Sequence, residues 1–465
     1  MIVLAAGLRV VVAALVGAAI FAVLRWIGHR SRAAYAIVVA GVLLRAAAGL
    51  MLFWISYANL AVGKSLHTGD GFWILASDAP AYFQAAINAP EWGFGHVNGT
   101  AAAYVRVFAL WMHLVGTSPA AGLYLNLLMS VATAALVVAI APVRNNWRED
   151  MPMLVCLAAF SFNPTLVGHG TQPLKDTFMA LAVTLGCAGA YVWFKRLHSI
   201  SVLAAQSTTL WVGLGGVLAS VYLVTRIRPY FAFVEWGCFA LASLASLMVA
   251  RQRLRFFSVH AVTLAALWGV MAYGGGPYYK EIMQRTLSAT VNPAALFSNS
   301  ASLLRESQAG FARTAGGTNA AALDDAIPGG PRFAEWSLGK GIVLMFVPIA
   351  VARPLNWLRF SGGRGLLAFA DADTLFVDLT VLMVLMLMVR RRSTAQRHLP
   401  YAVFAILLAL ASAGLIAFVV TNLGALLRLR LLFAVPLWMS AVALMQPLAV
   451  DPVFRDVPSR HSQAV

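Results

Sequence analysis

The chain has 465 residues, of which 61% are hydrophobic and 11% charged, and its mean hydropathy is +0.79. This excludes a soluble globular enzyme and a disordered polymer, and apolar runs of about 18–23 residues point instead to a polytopic helical membrane protein. A net charge of +17 would suggest nucleic acid in a soluble chain. Here the basic residues lie in short loops between apolar runs, where they report topology. Cys156, Cys187 and Cys238 all fall inside apolar segments, without spacing for a metal or reason for a disulfide.

The first run, Ile2 to Leu24, is too long for a signal peptide and lacks a basic region before it, so it is expected to be a retained helix. Arg25, Arg30 and Arg32 follow it and place the next turn in the cytoplasm, which puts the N-terminus outside. A second span, 33–54, returns outward, and the polar stretch Tyr57–Thr100 then lies on the outer side. Ala101 to Leu114 is apolar but short, with Tyr104, Arg106 and His113. Counting it as a span would put Arg144 and Arg148 outside, so it reads as an interfacial helix on the outer leaflet.

Further spans are expected at 119–141, 151–167, 173–194, 208–225, 229–250, 257–274, 368–389, 399–420 and 431–448. The fold class is therefore all-α and polytopic, with about eleven transmembrane helices, range 10–13, and interfacial helices in the extracytoplasmic loops. Residues 1–450 form one transmembrane domain and 451–465 a short cytoplasmic tail. The outer loops are 57–118 and 275–367, and within the second Leu338–Val351 reads as an interfacial or re-entrant helix.

This topology gathers polar residues on the outer face. They are Asp70, Asp78 and Tyr82, then His169, Lys175 and Asp176, then the pairs Arg226/Arg228 and Arg428/Arg430. Arg pairs in short outer loops run against the positive-inside rule, and a phosphate or diphosphate partner explains them, because guanidinium forks bind phosphoryl oxygens bidentately. Simpler roles compete. Asp78 can cap a helix beginning at Ala79, Asp176 can be an ordinary helix-start acid after Pro173, and the Arg pairs can snorkel to lipid headgroups. Asp371-Ala372-Asp373 has a metal-binding look but also opens a helix. His67, His96 and His169 have no ligand spacing, and Asn98-Gly99-Thr100 is a glycosylation sequon by pattern only.

An outer-loop Asp-x-x-x-Tyr (Asp78 to Tyr82), an interfacial helix and a later Pro-Leu-Lys-Asp helix start (Pro173 to Asp176) together resemble the GT-C superfamily of integral membrane glycosyltransferases. The chain departs from that layout in having two spans before the acidic loop and no large C-terminal domain. The resemblance implies a hexosyl- or pentosyltransferase that takes a sugar from a polyprenyl-phosphate or diphosphate carrier. The acceptor, a glycan, lipid or protein, would be met on the extracytoplasmic face. It implies Asp78 as catalytic base or as a holder of the acceptor; Asp70 and Tyr82, in the same outer loop, are expected to bind the substrate. Asp176 would support the donor phosphate or a divalent cation such as Mg or Mn, and Lys175, Arg226, Arg228, Arg428 and Arg430 would hold the carrier phosphate. A single base opposite the leaving group implies inversion.

The expected location is a bacterial inner membrane, with membrane lipids and the lipid-linked donor as partners and no nucleic acid. Two alternatives stand beside this: a polysaccharide polymerase or O-antigen ligase, and a transporter or flippase of lipid-linked sugars. For the last, the sequence offers little beyond Arg45, roughly mid-span.

Overall fold

A computed structural model describes residues 2–64, 66–76, 78–92, 101–199, 208–249, 253–290, 338–352, 364–392, 394, 398–420 and 423–445. His96, the Asn98-Gly99-Thr100 sequon, the Ser298–Gly330 stretch and the 451–465 tail lie outside the described residues.

The chain is an all-α polytopic membrane protein. Among the described residues ten helices are long and apolar enough to cross a bilayer, or eleven when one bent pair is counted as a span. The first half comprises α1 (Ile2–Arg30), α2 (Arg32–Tyr57), α3 (Ala79–Trp92), α4 (Ala102–Val115), α5 (Ala120–Ile140), α6 (Trp147–Phe162) and α7 (Pro164–Gly170). The second comprises α8 (Asp176–Ser199), α9 (Thr208–Ile227), α10 (Pro229–Val249), α11 (Arg253–Thr290), α12 (Leu338–Phe346) and α13 (Ile349–Ala352). It ends with α14 (Arg364–Arg390), α15 (Leu399–Val419), α16 (Leu423–Leu429) and α17 (Leu431–Ser440).

Local chemistry sets the boundaries. Ser31 accepts a hydrogen bond from the Ala34 amide at 3.2 Å and starts α2 after a one-residue turn. Asn163 accepts from the Leu166 amide at 2.8 Å, Pro164 opens α7, and the axis bends by 42° between α6 and α7. The expected span at 151–167 is this bent pair. The α4 helix has 14 residues, about 21 Å at 1.5 Å per residue, which is short of the ~30 Å hydrocarbon core. It lays Tyr104, Phe108 and Met112 into the bundle and leaves Leu110 and Leu114 exposed. The α11 helix continues to Thr290, well past the expected end of its span at 274.

Burial is uneven: 83% of the apolar window of α8 and 89% of that of Ala425–Leu444 are enclosed, against 6% for Arg9–Arg30. The two enclosed spans are the hub, and α1 is a rim helix against lipid. At one pole the Arg391 guanidinium donates to the Glu149 carbonyl at 3.2 Å, to the Leu444 carbonyl at 3.3 Å and to the Arg148 carbonyl. Arg144 pairs with Glu149 at 2.8 Å beside it. The basic loops after α5 and α14 thus meet at one end, as the positive-inside reading requires.

Candidate functional site

At the opposite pole, the chain after α2 forms a two-stranded hairpin, His67–Gly69 paired with Phe72–Trp73. Its turn residues Asp70 and Gly71 both have positive φ, 53° and 87°, the left-handed geometry that makes Asp-Gly a hairpin signal. Ser56 donates to the Phe72 carbonyl at 2.8 Å, and the Trp73 indole donates to the Leu52 carbonyl at 2.8 Å. The hairpin is thereby fixed to the end of α2. Phe72 packs with Ala76, Ala79 and Leu174, which draws the start of α3 toward the start of α8.

The second loop is held from below. Asn126 on α5 donates to the carbonyls of Gly170 at 3.1 Å and Gln172 at 2.7 Å. Gln172 in turn donates to the Gly71 carbonyl at 3.2 Å, linking the two loops. Gly122 allows the approach, since a Cβ there would stand 2.7 Å from Pro173. The result is that Asp78, just before α3, and Asp176, the first residue of α8, face a common centre.

Arg428 occupies that centre. Its Nη1 donates to Asp78 Oδ2 at 2.7 Å and its Nε to Asp176 Oδ2 at 2.9 Å. Arg228, in the one-residue break between α9 and α10, reaches Asp176 Oδ1 at 3.9 Å and donates to the Tyr230 hydroxyl at 3.2 Å. The Asp176 side chain is 5% exposed, and that of Asp78 is 46% exposed. Lys175 places its ammonium 5.8 Å from the centre of the Tyr82 ring. Tyr82 packs edge-on against the buried Tyr104 at 5.8 Å. Burial, reinforced by the Arg228 charge, pushes Lys175 down to about 7. Burial and the Asp78 charge push Tyr82 up to about 12, and burial also raises Tyr104.

Below these charges runs an apolar wall that includes Met179, Val183, Leu429 and Leu432. The pocket between wall and charges admits about 10 Å³ to a water-sized body, roughly one water. The two carboxylates already share an arginine, and among the described residues no group of three His, Cys, Asp or Glu side chains is placed to hold a metal.

Asp78, Tyr82, Lys175, Asp176, Arg228 and Arg428 are therefore brought together, whereas three other expected site residues are not. Asp70 is the exposed tip of the hairpin, and its left-handed turn accounts for it. Arg226 donates to the Gly274 carbonyl of α11 at 2.9 Å. Arg430 is 1% exposed, pairs with Asp373 at 3.4 Å and donates to Thr374 Oγ1 at 2.9 Å. Asp373 also accepts from Asn163 and from the Thr165 amide, each at 3.0 Å, so it belongs to an internal polar knot at the α6/α7 bend. Asp371 accepts from the amides of Ile349 and Ala350, capping α13. Tyr230 and Gln172, unassigned from sequence, belong to the site or its support. For Gln172 no sequence signal existed, because its partner lies 101 residues away.

Comparison with protein families, curated proteins and solved structures finds no match. The reading of the site rests on its own chemistry.

Proposed function

We propose that the protein is a membrane glycosyltransferase of the GT-C type, acting at the extracytoplasmic face of a bacterial inner membrane. In this reading it transfers a sugar from a polyprenyl-phosphate or diphosphate carrier to a glycan, lipid or protein acceptor. The observation that carries it is the Arg428 guanidinium shared between Asp78 and Asp176, with Arg228 and Lys175 alongside, above an apolar wall. A phosphate head and a prenyl tail match these two surfaces.

The acceptor hydroxyl attacks the anomeric carbon and its proton passes to Asp78, the more exposed carboxylate. The bond from the anomeric carbon to the phosphate oxygen breaks and the carrier phosphate leaves with the electron pair. Arg228, Arg428 and protonated Lys175 neutralise the charge that develops on it. Because the pocket holds only about one water, donor entry draws Arg428 from Asp78 toward the phosphate, which frees the base as the substrate arrives. Attack from the side opposite the carrier inverts the anomeric centre.

The test is purified protein in nanodiscs with a radiolabelled polyprenyl-phosphate sugar and a panel of acceptors. Time-dependent loss of label from the lipid, abolished in Arg428→Ala, supports the reading. Absence of both binding and turnover of every such donor would overturn it.

One observation favours a second reading, a transporter or flippase of lipid-linked sugars. Besides Arg45, the spans bury Glu235, Asp373 and Arg430, and the α6/α7 span is broken beside that last pair. Buried charge at a helix break is a transporter trait. Movement of an intact lipid-linked sugar across a proteoliposome membrane, without loss of the sugar, would favour it.

A further inference from the structure

The structure assigns a second, internal site to Arg45: we propose that it binds one small monovalent anion of chloride size inside the bundle. This is independent of the glycosyl-transfer reading. Arg45 lies near the middle of α2 and is 5% exposed. Its Nη1 donates to the Gly41 carbonyl at 3.5 Å and its Nη2 to the Phe160 carbonyl. Its Nε is buried with no hydrogen-bond partner, and among the described residues no carboxylate pairs with it. A guanidinium cannot shed its proton at any ordinary pH, so its charge must be compensated within the bilayer or leave it.

A cavity lies beside Arg45. Arg45, Ser161 and Thr177 line it together with Ser130, Thr133 and apolar side chains. It admits about 20 Å³ to a water-sized body, against about 10–15 Å³ needed by a single water. A halide is of the size this space accepts.

The hydroxyls divide by role. Ser130 and Thr133 donate to the carbonyls one turn back on α5, at 2.8 and 2.9 Å. Ser161 and Thr177 are buried, and neither hydroxyl bonds to another group among the described residues. The two hydroxyls supply two donors and Arg45 the positive charge, a set that suits a small anion. Water would satisfy the donors and leave the charge uncompensated. Thr177 directly follows Asp176, and Ala180 lines both this cavity and the outer pocket, so the anion would sit under the first turn of α8.

The experiment is thermal unfolding of the purified protein in nanodiscs, with sodium chloride or bromide replacing sodium gluconate at constant ionic strength. A saturable rise in the midpoint of about 2 °C or more is expected with either halide, because a ligand bound only to the folded state stabilises it. Arg45→Met should fold and lose the halide dependence. Ser161→Ala and Thr177→Val should each raise the half-effect concentration about tenfold, the usual scale for losing a hydrogen bond to a charged group. Equal midpoints in gluconate and halide would overturn the proposal. So would an undiminished halide effect in Arg45→Met, which would place the ion elsewhere.

Discussion

Arg428 and Asp78 are separated by 350 residues in the chain and by 2.7 Å in space. The same guanidinium binds Asp176 at 2.9 Å, so one cation from the last span ties together the two acidic loops. The site is closed by this bridge, and its chemistry depends on what displaces it.

Asp78→Asn should abolish glycosyl transfer while leaving donor binding and folding intact. Asn keeps the shape and one acceptor for Arg428 but cannot take a proton. General-base loss corresponds to about 10²–10⁴-fold in rate. Turnover of radiolabelled donor, set beside donor affinity in the same variant, separates the two effects, and near-normal turnover would reduce Asp78 to a tether for Arg428.

Arg428→Lys should fail almost as badly as Arg428→Ala. The Nε and Nη1 atoms reach two carboxylates at once, a geometry that a single ammonium does not reproduce. Truncating a buried, hydrogen-bonded charge typically costs about 2–5 kcal/mol in binding, and donor affinity should fall accordingly. Arg228→Lys should weaken donor binding less, since its distance to Asp176 is 3.9 Å. Wild-type affinity in Arg428→Lys would mean that charge alone suffices.

Lys175 gives a pH signature. Its folded pKa, about 7, lies below its ordinary value of 10.5. Between those values the unfolded chain holds a proton that the folded chain does not, so stability rises with pH across that window; below about 7 the burial penalty is fully present. Lys175→Met should flatten the rise in unfolding midpoint between pH 7 and 9. Affinity for a phosphate-headed lipid should fall above about pH 7 as the ammonium is lost, and Lys175→Arg should remove that fall. An unchanged pH profile in both variants would mean that Lys175 stays charged throughout.

Arg430 and Asp373 should act on folding rather than on donor binding. Removing either partner alone, as in Arg430→Met or Asp373→Leu, leaves a buried charge and should cost about 3–5 kcal/mol. The double variant should cost clearly less than the sum. Donor affinity at constant folded fraction should be unaffected; a selective loss of affinity would return Arg430 to the outer site.

The sequence by itself determined the spans, because lipid demands about 20 apolar residues per helix and no soluble fold does. It also determined which loops share a pole, through their arginines. The hairpin was not read from the sequence, although positive φ at both turn positions favours Asp-Gly; membership of an acidic loop made Asp70 look like a site residue instead. Only the tertiary structure decided between the members of each Arg pair. Residues i and i+2 on a helix point about 200° apart, so Arg428 and Arg430 cannot face the same cluster while the helix continues through them. One turns outward to Asp78 and Asp176, the other inward to Asp373. Which of them does so depends on the rotation of α16 against α8 and α14, a packing outcome that no local pattern encodes. The same holds for Arg45: its place at mid-span is written in the chain, but the cavity beside it exists only because α5, α6 and α8 meet there with small polar side chains.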